Sequence, residues 1–179
     1  TNFDCSAHFV KSVDDLQKTM SITPAYLVTQ DADDIQDYSQ ITMELGRRFR
    51  ALKLWFVIRA YGVAGLQKII RDHVAWAEQL AERLGAVPGI ELTSPVQLGL
   101  FSFRIRPEGT EDGEALDRLN AEFLDAVNGD GTIYLTQTVH EGRYIIRVSI
   151  GTTATSQDDI AIAFDTITRL AAPYLKTAT

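Results

Sequence analysis

The sequence predicts an α+β fold, a small antiparallel sheet with helices on one face. Two observations predict it. From Leu66 onward the apolar residues alternate between helical and strand periods, in the order helix, two strands, helix, two strands, helix. Turn and cap residues punctuate that alternation, with Gly85 and Asn128-Gly129 ending helical stripes and Glu141-Gly142 sitting between two strands as a hairpin turn.

Taken in order, residues 2–10 read as an opening strand, in which Phe3, Cys5, Ala7 and Phe9 alternate with Asp4, Ser6 and His8. No turn or cap precedes it, and the expectation is that the chain is a fragment. Residues 11–40 are polar and acidic, with a helix start at Thr23-Pro24 and a solvated loop at Gln30-Asp31-Ala32-Asp33-Asp34. From Glu44 to about Tyr61 the pattern is helical and apolar almost all round, with Leu52, Leu54, Trp55, Phe56 and Ile58, which predicts burial on several sides. A boundary near Tyr61-Gly62 separates this portion from the α+β unit.

That unit opens on a helix whose stripe is Leu66, Ile69, Ile70, Val74, Ala77, Leu80, Ala81 and Leu84. Strands follow at Ile90–Thr93 and Leu98–Ile105, then a helix striped by Leu116, Leu119, Phe123, Leu124 and Val127. Ile133–Thr138 and Arg143–Ile150 form the hairpin, with Tyr144, Ile146, Val148 and Ile150 facing the core. The last helix is capped by Ser156, has Asp158 and Asp159 in its first turn, and carries Ile160, Ala163, Phe164, Ile167, Leu170 and Ala171 inward.

Bulk properties exclude several function classes. The 179 residues, 45% hydrophobic and 23% charged, describe an ordinary globular chain rather than a disordered one. A net charge of −7 argues against nucleic acid or an anionic membrane as a partner over the whole surface. A single cysteine, Cys5, excludes an internal disulfide and a cysteine-rich zinc site. The most apolar stretch, Leu52 to Leu66, is interrupted by Arg59 and is too short to span a bilayer, and residues 1–4 have no signal-peptide pattern. The expected location is the cytoplasm.

A search for a complete catalytic motif finds none: no glycine-rich phosphate loop, no His-x-x-x-His pair, no Gly-x-Ser-x-Gly elbow. His8, His73 and His140 are scattered; His73 lies on a buried helical stripe and reads as a core histidine, His140 as a solvated turn residue. Asp4 alone makes no acid–base pair. Arg47, Arg48, Arg50 and Lys53 cluster, and ion pairing with the chain's carboxylates or a partner subunit is the plainer reading beside anion binding. Arg147, on a strand of alternating apolar residues, either binds a substrate carboxylate or makes a structural ion pair.

Several segments in sequence order add what periodicity does not. These are Asn2-Phe3-Asp4-Cys5-Ser6-Ala7, Pro24-Ala25-Tyr26-Leu27, and the run from Leu45-Gly46-Arg47-Arg48-Phe49-Arg50 through Lys53-Leu54-Trp55-Phe56. Tyr61 to Gln67, Leu98-Gly99-Leu100 and Ile146-Arg147-Val148 extend the set. Together they resemble the group II pyridoxal-phosphate-dependent decarboxylases, and within them the aromatic-L-amino-acid decarboxylases.

The resemblance implies a fold of the aspartate-aminotransferase type (fold type I), with residues 1–61 as the tail of the large cofactor-binding domain and 62–179 as the small C-terminal domain. It implies conversion of an aromatic L-amino acid of the tyrosine, DOPA or tryptophan type to its amine and CO2, with pyridoxal 5'-phosphate as cofactor. It implies a homodimer whose active site is shared between subunits. The lysine that forms the Schiff base belongs, by resemblance, to a His-Lys-Trp segment upstream of Thr1, and Lys11, Lys18, Lys53, Lys68 and Lys176 have no such context; this chain alone is expected to be inactive. Tyr26, on a loop at about 22–33, matches the family's proton donor, a phenol protonated at neutral pH. Gly46 matches a position bordering the aromatic-ring pocket. Alternatives at this point are a related enzyme acting on another amino acid or forming an aldehyde, and a non-catalytic α+β interaction module.

Overall fold

The computed structural model describes residues 4–21, 38–42, 44, 46 and 48–175. The chain divides into two compact units, Thr1–Val63 and Ala64–Thr179.

In the first unit, residues 4–10 form no strand, contrary to the reading from alternation. Alternation makes a strand only where a neighbouring ladder takes up the backbone groups, and no described strand forms a ladder with this segment; Phe9 is 91% exposed. Helix α1, Val13–Met20, begins where Ser12 Oγ accepts a bond from Asp15 N at 3.2 Å, with Asp14 and Asp15 in its first turn. A 3-10 turn covers Tyr38–Ile41. The Thr23-Pro24 helix start and the acidic loop fall outside the described residues. Helix α2, Arg50–Gly85, is interrupted at Gly62, whose φ of 68° and ψ of 166° suit a residue without Cβ. The apolar side chains expected to be buried all round are exposed in this chain, among them Trp55 and Phe56.

The second unit is a four-stranded antiparallel sheet of order β1-β2-β4-β3 with helices packed on it. Its strands are β1 (Ile90–Gln97), β2 (Leu100–Ile105), β3 (Thr136–His140) and β4 (Arg143–Ser149). Helix α3, Glu114–Asp130, connects β2 to β3, and α4, Gln157–Leu175, ends the described chain. Phe101, Phe103 and Ile105 of β2 and Ile146 and Val148 of β4 meet Ala77, Leu80 and Leu84 of α2, Phe123 and Val127 of α3, and Ile160 and Ile167 of α4 in one core. The phenyl ring of Phe123 packs edge-on against both Phe103 and Tyr174, with centroids 6.4 Å and 5.8 Å apart.

Element ends differ from the sequence reading for local reasons. Strand β1 runs on to Gln97 through Pro95, which an edge strand tolerates because its missing N–H costs no ladder bond. Leu98 belongs to the turn, with φ of 54°, and a Cβ on the following Gly99 would collide with the carbonyl oxygen of Ile150. Helix α3 continues past Asn128-Gly129 to a left-handed cap at Gly131. Asn128 instead holds the start of the next strand, accepting from Leu135 N at 2.9 Å and donating to Leu135 O at 3.1 Å. The β3–β4 turn has positive φ at both Glu141 and Gly142, as a two-residue hairpin requires. Ser156 caps α4 as read: its Oγ accepts from Asp159 N at 3.4 Å, and Ser156 N donates in return to Asp159 Oδ2 at 2.8 Å.

Candidate polar face of the C-terminal sheet

Successive residues of a strand point to opposite faces. The Phe101, Phe103, Ile146 and Val148 side chains take the helix-covered face, so Ser102, Arg104, Ile145 and Arg147 take the other. On that second face the central ladder changes character. Strands β2 and β4 pair from Leu100↔Ser149 to Phe103↔Ile146 and then part. Two α3 side chains one turn apart supply the missing partners. Asn120 Oδ1 accepts from Ile105 N at 2.8 Å while its Nδ2 donates to Ile105 O at 2.9 Å; Asp117 Oδ1 accepts from Tyr144 N at 3.0 Å.

The same Asp117 oxygen accepts from Arg104 Nη2 at 2.9 Å, and Arg104 Nη1 reaches Asp112 at 3.3 Å. The Arg104 side chain is fully buried, and its Nε has no partner among the described residues. Strand alternation puts Arg104 on the face opposite Phe103 and Ile105, and the signal for its burial is the pair of aspartates, Asp112 and Asp117, that follow it in the sequence.

Arg106 pairs with Glu91 at 3.3 Å, and Arg143 with Glu141 at 3.5 Å and Glu91 at 4.0 Å. Arg147 is half-buried and makes no ion pair with any described residue. It stands opposite Thr136 on β3 and Ser102 on β2. Of the two readings of Arg147, a structural ion pair is not found among the described residues.

The other sequence candidates lie elsewhere. Tyr26 falls outside the described residues. Gly46 sits in an exposed bend, with open space where a Cβ would be. Within the basic cluster, Arg50 Nε and Lys53 Nζ both bond to Asp4, each at 3.0 Å, so these two cations serve an ion-pair clamp. The Lys53 and Arg50 hydrogen bonds hold the Asp4 carboxyl below its ordinary value, and Asp4 in turn raises Arg50. His73 is buried beside the Trp76 ring, 5.8 Å away, and His140 is the exposed last residue of β3.

A pyridoxal cofactor needs a lysine amine in a sheltered cavity. Lys11 and Lys18 are exposed, Lys68 is bound to Asp72 at 2.6 Å on the surface, and Lys53 is engaged with Asp4. The described residues therefore do not by themselves hold such a group. No group of three or more His, Cys, Asp or Glu side chains among them is placed to bind a metal, and no described helix is long and apolar enough to cross a membrane.

Residues 1–106 match the family model described as the pyridoxal-dependent decarboxylase conserved domain. The chain is 37% identical over 166 residues to tryptophan decarboxylase 2 of Oryza sativa subsp. japonica, covering 92% of this chain and 33% of that protein. It is 36% identical to tyrosine decarboxylase 4 of Petroselinum crispum (92% and 33% covered) and to phenylacetaldehyde synthase of Arabidopsis thaliana (93% and 34%). Among solved structures it is similar to the Oryza sativa TDC with PLP and tryptamine, with a TM-score of 0.82 at 30% identity over 93% of this chain and 35% of that one. The chain thus spans about a third of the length of the curated relatives it matches. With the family model matched over more than half its length, the chain belongs to the pyridoxal-dependent decarboxylase family.

Proposed function

We propose that this chain is part of a pyridoxal-phosphate-dependent decarboxylase that converts an aromatic L-amino acid of the tyrosine, DOPA or tryptophan type to its amine and CO2. The observation that carries the reading is a match over nine-tenths of the chain to relatives named tryptophan and tyrosine decarboxylases. Residues 1–61 are then the tail of a large cofactor-binding domain, and 62–179 the small domain of a fold-type-I enzyme. The cofactor, which supplies the electron sink for loss of CO2, is held by groups other than those described above. The enzyme works as a cytoplasmic homodimer with a shared active site; the lone cysteine fits a reducing compartment.

Three residues of this chain take roles in that reading. Tyr26 delivers the proton that replaces the departed carboxylate on the substrate's α-carbon, on a loop that shields the site from water. Gly46 leaves room beside the aromatic ring for a group as large as an indole. Arg147, half-buried and without a carboxylate among the described residues, holds the substrate's carboxylate or another acidic group.

A second reading has its own support, because phenylacetaldehyde synthase of Arabidopsis thaliana is as similar as the tyrosine decarboxylases. Its product would be an aldehyde, formed with consumption of oxygen. The test supplies tyrosine, DOPA and tryptophan to the purified full-length protein loaded with pyridoxal phosphate, and follows CO2, amine, aldehyde and peroxide. Amine with stoichiometric CO2 supports the proposal, and Tyr26→Phe should then shift product toward aldehyde. Aldehyde and peroxide from the unaltered protein would replace it with the second reading; no product from any of the three substrates would remove both.

A further inference from the structure

The pair Asn128-Gly129 reads in the sequence as a helix end, yet α3 runs through both residues to Asp130. An asparagine followed by glycine readily loses its side-chain amide, because glycine leaves the next main-chain nitrogen uncrowded and its backbone free to turn. Of the three asparagines in this chain, Asn2, Asn120 and Asn128, only Asn128 precedes a glycine. The reaction is intramolecular. The Gly129 nitrogen gives its proton to hydroxide and attacks Asn128 Cγ. The new C–N bond closes a succinimide ring, and the Cγ–Nδ2 bond breaks to release ammonia, which takes its extra proton from water. Water then adds to either ring carbonyl and reopens the ring as aspartate or isoaspartate. The net change is amide and water to acid and ammonia, with no oxidant or reductant.

Two features of the fold hold the reacting groups apart. Gly129 lies inside α3, where its N–H is committed to a carbonyl one turn back and the Asn128 ψ stays helical, away from the value that ring closure needs. The Asn128 side chain is turned toward the chain that follows: its Oδ1 accepts from Leu135 N at 2.9 Å and its Nδ2 donates to Leu135 O at 3.1 Å. Those two bonds use the same amide that the reaction would remove. The guard is local. Past the left-handed cap at Gly131, with φ of 78°, the connection is exposed at Gly131, Thr132 and Tyr134. A helix end of this kind unwinds at lower cost than the core opens.

Conversion destroys the tie. In the product a carboxylate oxygen replaces Nδ2 and faces Leu135 O, acceptor against acceptor. Isoaspartate also lengthens the main chain by one carbon. Leu135 belongs to the core and leads directly into β3, so the loss reaches the edge of the sheet.

We propose that Asn128 is a latent deamidation site gated by the fold. Closed, its amide ties α3 to β3; each unwinding of the last α3 turn exposes it to ring closure, and conversion makes that opening permanent. This chemistry does not depend on which amino acid the enzyme takes.

The test incubates the full-length protein at mildly alkaline pH. Peptide mapping by mass spectrometry reads the amide-to-acid change at Asn128, and hydrogen exchange reads the Leu135 and Ile146 amides. A synthetic peptide of residues 125–132 gives the unguarded rate. Asn128 should convert more slowly in the protein than in the peptide, by the factor that protects the Leu135 amide from exchange. Gly131→Ala, which puts a Cβ into the left-handed cap, should raise both rates about 5–30-fold and leave Ile146, in central strand β4, unchanged. Gly129→Ala should suppress conversion, and Asn120, buried and followed by Ala121, should stay intact throughout. Should Gly131→Ala fail to fold, low urea opens the same turn of the unaltered protein, and conversion should track Leu135 exchange. Conversion in the folded protein at the peptide's rate would refute the guard. So would a conversion rate that ignores a rise in Leu135 exchange. Ile146 exchange rising in step with conversion would make global unfolding the gate and overturn the local one.

Discussion

Removing the Asp117 carboxylate tests whether the fully buried Arg104 is a stabilising element or a liability held in check. In Asp117→Ala, Arg104 loses its 2.9 Å partner and keeps only Asp112 at 3.3 Å, a residue whose side chain is 45% exposed. Tyr144 N loses its acceptor at the same time. Breaking a buried pair costs about 3–5 kcal/mol. The remaining Asp112 contact places this case at the lower end, and the stranded Tyr144 amide adds about 1 kcal/mol. A total of about 3–4 kcal/mol shifts a urea midpoint by roughly 1.5–2 M for an m-value of about 2 kcal/mol/M. Urea denaturation of the chain, followed by circular dichroism, reads that shift at constant m. The partner variant Arg104→Met and the double Arg104→Met/Asp117→Ala complete a cycle. The double variant should recover most of the loss, because the apolar pair leaves no charge unpaired. A cost below about 1 kcal/mol for Asp117→Ala, or a double variant that loses the sum of the singles, would show that water reaches Arg104 and that the pair does not hold the strands.

Gly99→Ala should destabilise by about 2–3 kcal/mol in the same assay, since its Cβ meets the Ile150 carbonyl and the 2.8 Å bond from Ile150 N to Gly99 O must lengthen. Gly129→Ala should do the opposite, raising stability by about 0.5–1 kcal/mol, because it lies inside α3 with open space around the added methyl. The Asp4 clamp should respond to acid: its folded pKa lies below the unfolded value, so its contribution is complete above roughly pH 4 and disappears as pH falls through the lowered value. An acid titration of stability should therefore lose part of its slope below pH 4 in Asp4→Asn, and identical profiles would show that the clamp is solvated.

The helical stripes and the β3–β4 turn were legible because burial imposes a period that a single sequence carries. Leu80, Leu84, Phe123 and Ile167 all reach the core that their spacing predicted. The opening strand was misread because period two reports alternation, not a partner strand. Arg104 was missed for a related reason: its burial depends on Asp117 arriving from the next helix, a contact that no strand pattern encodes. The tie from Asn128 to Leu135 was equally hidden, since Asn128-Gly129 reads as a helix end and not as a link to the next strand. Tyr26 and Gly46 are proposed on family resemblance alone, because composition and spacing give no signal of their own at either position.

The strand order β1-β2-β4-β3 has a kinetic consequence. Each outer pair is a hairpin that closes over a short turn, a local event on the microsecond scale. The central β2–β4 seam joins residues as distant as Leu100 and Ser149, with all of α3 between them. Loop-closure entropy is therefore concentrated in one step, which brings two preformed hairpins side by side. Asn120 and Asp117 reach into the far end of that seam from α3, so the helix in the connecting loop is also the piece that secures its closure. The rate of folding is governed along this line, and substitutions at the sheet's outer edges act mainly on how fast the assembled sheet comes apart.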